Sequence, residues 1–219
     1  MVVAARSQRD LDAISRDLAI RYGVKANPQV LDLSDGKIDV ETFHGMCLQQ
    51  LGRVDALFVP AGHVSPADDG LAEDETVATT IRVNYMNTVR IIARFARAFK
   101  HQGHGLIVGF TSVAAAVPRR RNIAYASAKA GLDVYLRGLR HYFADTPVVV
   151  QAYALGYVDS GMTFGKRMLL PPVSPHRVAA YVVGQMGRDI GVRYFPRYWR
   201  LITLLLRSLP WFLYRRLSF

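Results

Sequence analysis

The sequence predicts an α/β fold, a Rossmann-like doubly wound parallel sheet with helices on both faces. Short apolar runs alternate with longer segments in which apolar residues recur every three or four positions. This alternation is typical of a parallel sheet whose crossover connections are helices. A length of 219 residues suits one domain with a sizeable core, and the hydrophobic share of 51% favours a globular chain over a disordered one.

The predicted elements follow one another along the chain. Strand-like runs lie at residues 2–5, 29–33, 54–59, 106–110 and 148–153. Helical spacing begins at Leu11 and returns in four later segments, at residues 40–51, 73–100, 123–143 and 175–187. We therefore expect one α/β domain over residues 1–195, followed by a separate tail over residues 196–219.

Three polar residues near the middle of the chain have the spacing of a proton-transfer site. Ser112 ends a strand-like run, Tyr125 follows thirteen residues later, and Lys129 comes one helical turn after Tyr125. Residues at i and i+4 share a helix face. A neighbouring ammonium favours the phenolate and is expected to lower the phenol pKa from its usual value of about 10. With Ser112 holding the substrate oxygen, these groups suit the addition of hydride to a ketone or its removal from an alcohol.

A Tyr-x-x-x-Lys pair alone is a weak signal, because any amphipathic helix can carry one. Here small residues surround it, in the run Tyr125-Ala126-Ser127-Ala128-Lys129. With Ser112 upstream, this segment resembles the active-site segment of the short-chain dehydrogenase/reductases, a serine, twelve residues and then Tyr-x-Ala-Ser-Lys. The resemblance covers most of residues 1–195. It implies an oxidoreductase with a nicotinamide cofactor, acting on a carbonyl/alcohol pair.

Two charged residues near the start match cofactor positions of that family. Arg6 stands where an arginine usually faces the adenosine 2′-phosphate, which favours NADP(H) over NAD(H). Asp32 matches the aspartate that contacts the adenine. Taken alone, Arg6 is equally well read as a solvated arginine before a helix, and Asp32 as a helix N-cap.

The middle of the chain carries two further landmarks of the family. Residues 59–62 stand in the place of the family's Asn-Asn-Ala-Gly, and Ala61 and Gly62 match its Ala-Gly half. Small residues there let the backbone approach a ligand. Asn84 matches the asparagine that supports a water linked to the lysine, which implies a proton path to solvent. An asparagine inside a helix without such a role is the alternative.

A third landmark follows the last predicted strand. Residues 155–160 stand where the family has Pro-Gly-x-Val-x-Thr on the nicotinamide side, and this implies cofactor contacts from Gly156, Val158 and Ser160. Residues 161–175 would then form the variable substrate loop. No metal is expected.

The family's first strand and Gly-rich turn have no counterpart upstream of Arg6. The amides of that turn receive the pyrophosphate. The resemblance therefore implies a sheet that lacks the family's first strand and leaves two strand edges facing each other without partners. Two explanations stay open: a longer protein with roughly thirty more residues, or a real short form that has lost dinucleotide binding. We expect the 219-residue chain to bind a dinucleotide poorly.

The basic residues indicate the expected partners. The net charge is +11, and six arginines follow the last acidic residue, Asp189, five of them in the tail. Residues 196–219 predict a basic amphipathic helical tail bent at Pro210, with uncharged runs far shorter than the ~20 residues that span a bilayer. Arginines, aromatics and a broad apolar face predict binding to an anionic membrane surface. Packing of the tail on the domain, or in a dimer interface, is the alternative. No nucleic-acid motif is visible.

Localisation and assembly are predicted from smaller signals. The tail resembles those of membrane-associated reductases such as the decaprenylphosphoryl-keto-pentose reductases, which implies a lipidic or lipid-linked substrate. The single Cys47 permits no internal disulfide, which indicates a reducing compartment, so a cytoplasmic protein is expected. The C-terminal tail is expected to associate it peripherally with a membrane. Pairing through the long helices, common in the family, implies a homodimer or homotetramer. The rival hypothesis is a membrane-associated scaffold without chemistry.

Overall fold

The computed structural model describes residues 1–117, 119–165 and 168–217, and in these residues six strands form one two-stranded and one four-stranded parallel sheet. Their bounds are β1 Val2–Ala5, β2 Asn27–Val30, β3 Ala56–Val59, β4 Gly105–Ser112, β5 Val148–Leu155 and β6 Val192–Phe195. Strand β1 pairs with β2, and the other four follow the order β3-β4-β5-β6. Within the described ranges no ladder joins β1 to β3, so the sheet is divided at this point.

Eight α-helices connect and follow the strands in the described part of the chain. They are α1 Gln8–Tyr22, α2 Val40–Leu51, α3 Asp74–Ile81, α4 Asn87–Gln102, α5 Ile123–Tyr142, α6 Pro175–Val183, α7 Trp199–Arg207 and α8 Trp211–Tyr214. The long helix predicted over residues 73–100 is interrupted: a π-helical turn, Arg82–Met86, joins α3 to α4. Strand β6 had not been predicted.

The core lies on both faces of the sheet, as a doubly wound arrangement requires. Helices α2, α4 and α5 cover one face, where Phe95, Phe99, Leu132 and Leu136 are almost fully buried. Helix α6 covers the other face with Val178 and Val182. Close packing of α5 depends on a glycine in β4, since a Cβ on Gly109 would lie 2.4 Å from the Leu136 side chain. The predicted α/β fold is confirmed.

The C-terminal tail both packs on the domain and exposes an apolar face. Helix α7 buries Trp199 and Thr203, and Arg120 Nη2 donates a hydrogen bond to the Arg215 carbonyl at 2.7 Å. The outer side leaves apolar side chains largely exposed, Leu201, Leu204, Leu205, Trp211, Phe212 and Leu213. No helix among the described residues is long and apolar enough to cross a membrane. Residues 218–219 of the predicted tail and 166–167 of the predicted substrate loop lie outside the described residues.

Candidate active site

A cavity of about 630 Å³ opens at the carboxyl ends of β3, β4 and β5. In a parallel sheet the loops that follow neighbouring strands meet at this edge, which is where ligands bind in such folds. The cavity brings together eight of the residues predicted from the sequence: Ala61, Gly62, Ser112, Tyr125, Lys129, Gly156, Val158 and Ser160.

Ser112 and Tyr125 are brought together by the end of β4 and the first turn of α5. Ser112 is the last residue of the strand, and its hydroxyl oxygen accepts a hydrogen bond from the Ala114 N–H at 3.2 Å. The same side chain acts on the Tyr125 phenol in the direction that lowers the phenol pKa. One carbonyl oxygen could therefore meet two hydroxyl groups, as the sequence predicted.

The pKa of the Tyr125 phenol differs in direction from the sequence-based expectation. Burial raises this pKa above its ordinary value, and this effect exceeds the opposing effects of the Ser112 hydrogen bond and the Arg119 charge. The expected lowering by Lys129 is therefore wrong for this arrangement. The physical reason is that a phenolate loses more hydration in this site than its neighbours return.

Lys129 is almost fully buried, with 3% of its surface exposed. Its Nζ donates hydrogen bonds to the Ala61 carbonyl at 2.8 Å and the Phe110 carbonyl at 3.0 Å. Burial lowers the pKa of the ammonium to about 8. Because a lysine ammonium has three donors, one N–H remains beyond these two bonds. Lys129 thus links α5 to the ends of β3 and β4 and keeps a titratable proton inside the site.

Asn84 is fully buried in the π-helical turn between α3 and α4. Its side chain accepts from the His63 N–H at 3.0 Å and donates to the His63 carbonyl at 2.7 Å and the Thr80 carbonyl at 2.9 Å. A Cβ on Gly62 would lie 3.9 Å from Asn84 Oδ1 and 4.0 Å from Lys129 Nζ. Asn84 therefore fixes the backbone that passes beside the lysine. Its part in a proton path stays a prediction.

Arg6 and Asp32 lie outside this cavity, after the neighbouring strands β1 and β2. Asp32 accepts hydrogen bonds from the Ser34 N–H at 2.8 Å and the Ser34 hydroxyl at 2.7 Å. These bonds, together with the charge of Arg6, lower the Asp32 pKa. The N-cap alternative for Asp32 is wrong, because Asp39 caps the next helix, α2. Arg6 is exposed and directly precedes Ser7, the N-cap of α1.

Sequence reasoning missed a loop that holds the start of α5. Asp68 is 3% exposed, its carboxylate accepts from the Tyr125 N–H at 3.2 Å, and its carbonyl accepts from the Asn122 N–H at 2.9 Å. Two residues on, Gly70 has a φ of +114°, and a Cβ there would lie 2.2 Å from the Arg120 carbonyl oxygen. The polar run around Asp68 carried no pattern that distinguishes it from an ordinary surface loop.

The tail contact with Gly156 was also not predicted. A Cβ on Gly156 would lie 1.9 Å from Trp199 Nε1, so the absence of a side chain is required by the indole. Trp199 also meets the Tyr157 ring edge-on, with ring centres 5.3 Å apart. The Arg119 guanidinium also lies over the Tyr157 ring, 5.7 Å from the ring centre. The tail therefore supports two loops that line the cavity.

Comparison with known proteins gives both sequence relatives and folds. An uncharacterized oxidoreductase of Mycobacterium tuberculosis is 34% identical over 137 residues, which cover 63% of this chain and 55% of that protein. An NADP-dependent mannitol dehydrogenase of Hypocrea jecorina is 29% identical over 153 residues, covering 68% of this chain and 56% of the relative. These alignments span little more than half the length of the relatives.

A solved structure and a family model complete the comparison. A short-chain dehydrogenase from Sphingobium yanoikuyae in complex with NADPH has the same fold, with a TM-score of 0.80 and 21% identity over 95% of this chain and 86% of that one. The model of the short chain dehydrogenases matches residues 1–168. The chain therefore belongs to the short-chain dehydrogenase/reductase family.

Proposed function

We propose that this protein is an NADP(H)-dependent oxidoreductase that interconverts a carbonyl and an alcohol, with Tyr125 as the proton donor and acceptor. The observation that carries the proposal is the meeting of Ser112, Tyr125 and Lys129 at one cavity, although they come from a strand end and two turns of a helix. A side chain with a titratable proton beside a hydrogen-bond donor is the arrangement that carbonyl reduction requires.

The residues divide the work of the reaction. A bound nicotinamide supplies or accepts the hydride at the carbonyl carbon. Ser112 donates a hydrogen bond that orients the substrate oxygen, and the Tyr125 hydroxyl transfers its proton to that oxygen as the alcohol forms. Because burial raises the Tyr125 pKa, the phenol holds its proton at neutral pH and is ready for reduction. The Lys129 ammonium, with a pKa of about 8, can return a proton towards the phenol.

The residues around the cavity suit the reactive end of a dinucleotide. Glycine at position 62 keeps the space beside Lys129 open, and Val158 and Ser160 form a further part of the wall. The adenosine end would reach Arg6 and Asp32 at the ends of β1 and β2. The NADPH in the Sphingobium structure and the NADP-dependent relative support the preference for NADP(H). Replacing Arg6 by alanine should weaken NADPH binding more than NADH binding.

The division of the sheet bears on how a dinucleotide would be bound. Among the described residues β1 pairs only with β2 and β3 pairs on one side only, with β4, so each keeps one edge without a ladder partner. An additional parallel strand that pairs with these edges and leads into a Gly-rich turn would complete a dinucleotide site of the family's kind. Micromolar NADPH binding by the 219-residue chain would show that no such strand is needed.

The tail supports action at a membrane surface. Its outer apolar face, with Leu201, Leu204 and Leu205 each about 60% exposed, lies next to exposed arginines, a combination that suits anionic lipid. The mostly apolar cavity agrees with a lipidic or lipid-linked substrate. Changing these three leucines to serine should abolish co-sedimentation with anionic vesicles while leaving Trp199 docked. Equal pelleting of the variant and the unaltered protein would contradict membrane binding.

Self-association through the long helices belongs to the same proposal. Val134 on α5 is 69% exposed, so a substitution there alters the outer side of this helix without disturbing the core. Replacing Val134 by glutamate should shift the protein to a smaller species in sedimentation velocity. An unchanged sedimentation coefficient would contradict pairing through α5.

Turnover of a Tyr125→Phe variant tests the chemical proposal. The variant should bind NADPH like the unaltered protein and lose carbonyl-dependent NADPH oxidation across a panel of aliphatic ketones. Tyr135→Phe, on the same helix but outside the cavity lining, is the matched control and should stay active. Full activity of Tyr125→Phe would contradict the assignment. The comparison uses a form of the protein that carries a Gly-rich turn, because the 219-residue chain is expected to bind a dinucleotide poorly. Absence of dinucleotide binding by that form would favour the rival hypothesis of a scaffold without chemistry.

A further inference from the structure

The charge of the cavity is not explained by the reaction alone. Most of its lining is apolar, including Phe58, Val64 and Val182. Three cationic side chains also line it, Arg119, Arg121 and Lys129, and none of the described lining residues carries a carboxylate. Lys129 is accounted for by its bonds to two carbonyl oxygens. The two arginines remain without a role.

Arg119 is held in a defined place near the proton-transfer group. Its guanidinium lies 5.7 Å from the Tyr157 ring centre, and Tyr157 is itself supported by Trp199. The charge of Arg119 acts on the pKa of both Tyr125 and Tyr214, lowering each against the larger effect of burial. Arg119 therefore lies close enough to act on Tyr125 in the cavity and on Tyr214 in helix α8.

Neither arginine has an ion-pair partner in the part of the chain that the structure describes. The eight ion pairs found there engage other arginines and one histidine. A guanidinium facing a mostly apolar cavity gains more from an anion than one in bulk water, because the local dielectric constant is lower. Its planar fork also matches a carboxylate or a phosphate with two parallel hydrogen bonds.

We propose that Arg119 and Arg121 bind an anionic group, a carboxylate or a phosphate monoester, on a substrate whose remaining body is apolar. The apolar wall takes the hydrocarbon body, and the anion lies at the side of the cavity that carries the arginines. The position of the reacting carbonyl beside Tyr125 rests on the proposed function, whereas the binding of the anion does not require turnover. This site selects substrates by charge as well as by apolar size.

Equilibrium binding without turnover tests this site. Sodium decanoate, decyl phosphate and methyl decanoate share an apolar chain and differ in charge, and their affinities can be compared by isothermal titration calorimetry. Both anions should bind about tenfold or more tightly than the ester, as expected for a charge-assisted bidentate contact. A stronger response to the carboxylate or to the phosphate would identify which anion the site prefers, and either order supports the site.

Variants separate the cavity from the basic tail, which could also attract anions. The double variant Arg119→Gln, Arg121→Gln leaves the tail unchanged and should lose the preference for the anions over the ester. The matched control is Arg120→Gln. Arg120 lies between the two arginines and does not line the cavity, but it bonds the tail at the Arg215 carbonyl, so this variant also reports any effect of loosening the tail; it should keep the preference. The double variant Arg119→Lys, Arg121→Lys retains the charge without the planar fork and should keep part of the preference for the anions over the ester. Because it keeps both charges, it separates loss of the anion contact from misfolding of the glutamine variant.

The outcomes are separable from those of the proposed function. Equal affinity for decanoate and its methyl ester in the unaltered protein would overturn the anion site, whatever the turnover. The same conclusion follows if the double variant keeps the preference, or if Arg120→Gln loses it to the same extent. An anion preference in a protein that never oxidises NADPH would support the anion site and contradict the proposed chemistry instead.

Discussion

Replacing Lys129 by methionine should change how the stability of this protein depends on pH. Methionine has a similar length and no charge, so it removes the buried ammonium and leaves most of the packing. The two carbonyl oxygens of Ala61 and Phe110 lose a donor, which lowers the stability of the variant by an amount that does not vary with pH. Only the unaltered protein keeps the titrating group.

The size and sign of the effect follow from the Lys129 pKa. Burial lowers it from 10.5 in the unfolded chain to about 8 in the folded one. Between these values the unfolded state binds more protons than the folded state, so stability rises with pH through this range. A full shift of this size corresponds to about 3 kcal/mol. Between pH 7.5 and 10, the unaltered protein should gain about 2 kcal/mol in unfolding free energy relative to Lys129→Met.

Urea unfolding at several pH values between 7.5 and 10 provides the measurement, with the slope m checked for constancy. Subtracting the variant from the unaltered protein removes the titrations that the two share. Lys37→Met, at an exposed position, is the control for the loss of a lysine elsewhere. A difference between the unaltered protein and Lys129→Met that stays flat over this range would refute the buried, titrating ammonium.

Two further substitutions test the contacts around the cavity. Gly156→Ala places a Cβ 1.9 Å from Trp199 Nε1, so it should destabilise the protein by about 1–3 kcal/mol and shift the tryptophan emission. Gly161→Ala is the control, because a Cβ there meets open space, and it should change neither stability nor emission. Equal effects of the two variants would contradict the contact between the tail and Gly156. Asn84→Ala leaves the backbone groups of His63 without partners and should cost about 3 kcal/mol in thermal unfolding. A loss of unfolding free energy below about 0.5 kcal/mol, as for a surface substitution, would contradict the role of Asn84 in holding the His63 backbone.

The sequence predicted the fold because alternating apolar periods report directly on which faces are buried. Helix α5 begins at Ile123 as predicted from its apolar spacing. The π-helical turn was missed because one extra residue in a helix hardly changes its apolar spacing. Strand β6 was missed because four residues between a turn and a proline give too short a pattern.

The site was predictable where topology alone decides it. The end of a strand and the start of the next helix meet at one edge of a parallel sheet, so the proximity of Ser112 and Tyr125 could be predicted from the sequence. The direction of the Tyr125 pKa shift could not be predicted from the sequence, because it depends on how completely the phenol is buried. The contact of Trp199 with Gly156 also could not be predicted, because it joins residues far apart in the chain. The separation of Arg6 and Asp32 from the cavity follows from the position of β1 and β2.

Isotope transfer is the most direct measurement of the central claim, that Tyr125 completes a hydride transfer to a carbonyl carbon. NADPH carrying deuterium at the transferable C4 position is incubated with the protein and an aliphatic ketone, and the alcohol is analysed by mass spectrometry. The account predicts one deuterium on the carbinol carbon for each turnover by the unaltered protein and none above background with Tyr125→Phe. An alcohol without deuterium, or equal incorporation by the two proteins, would contradict it.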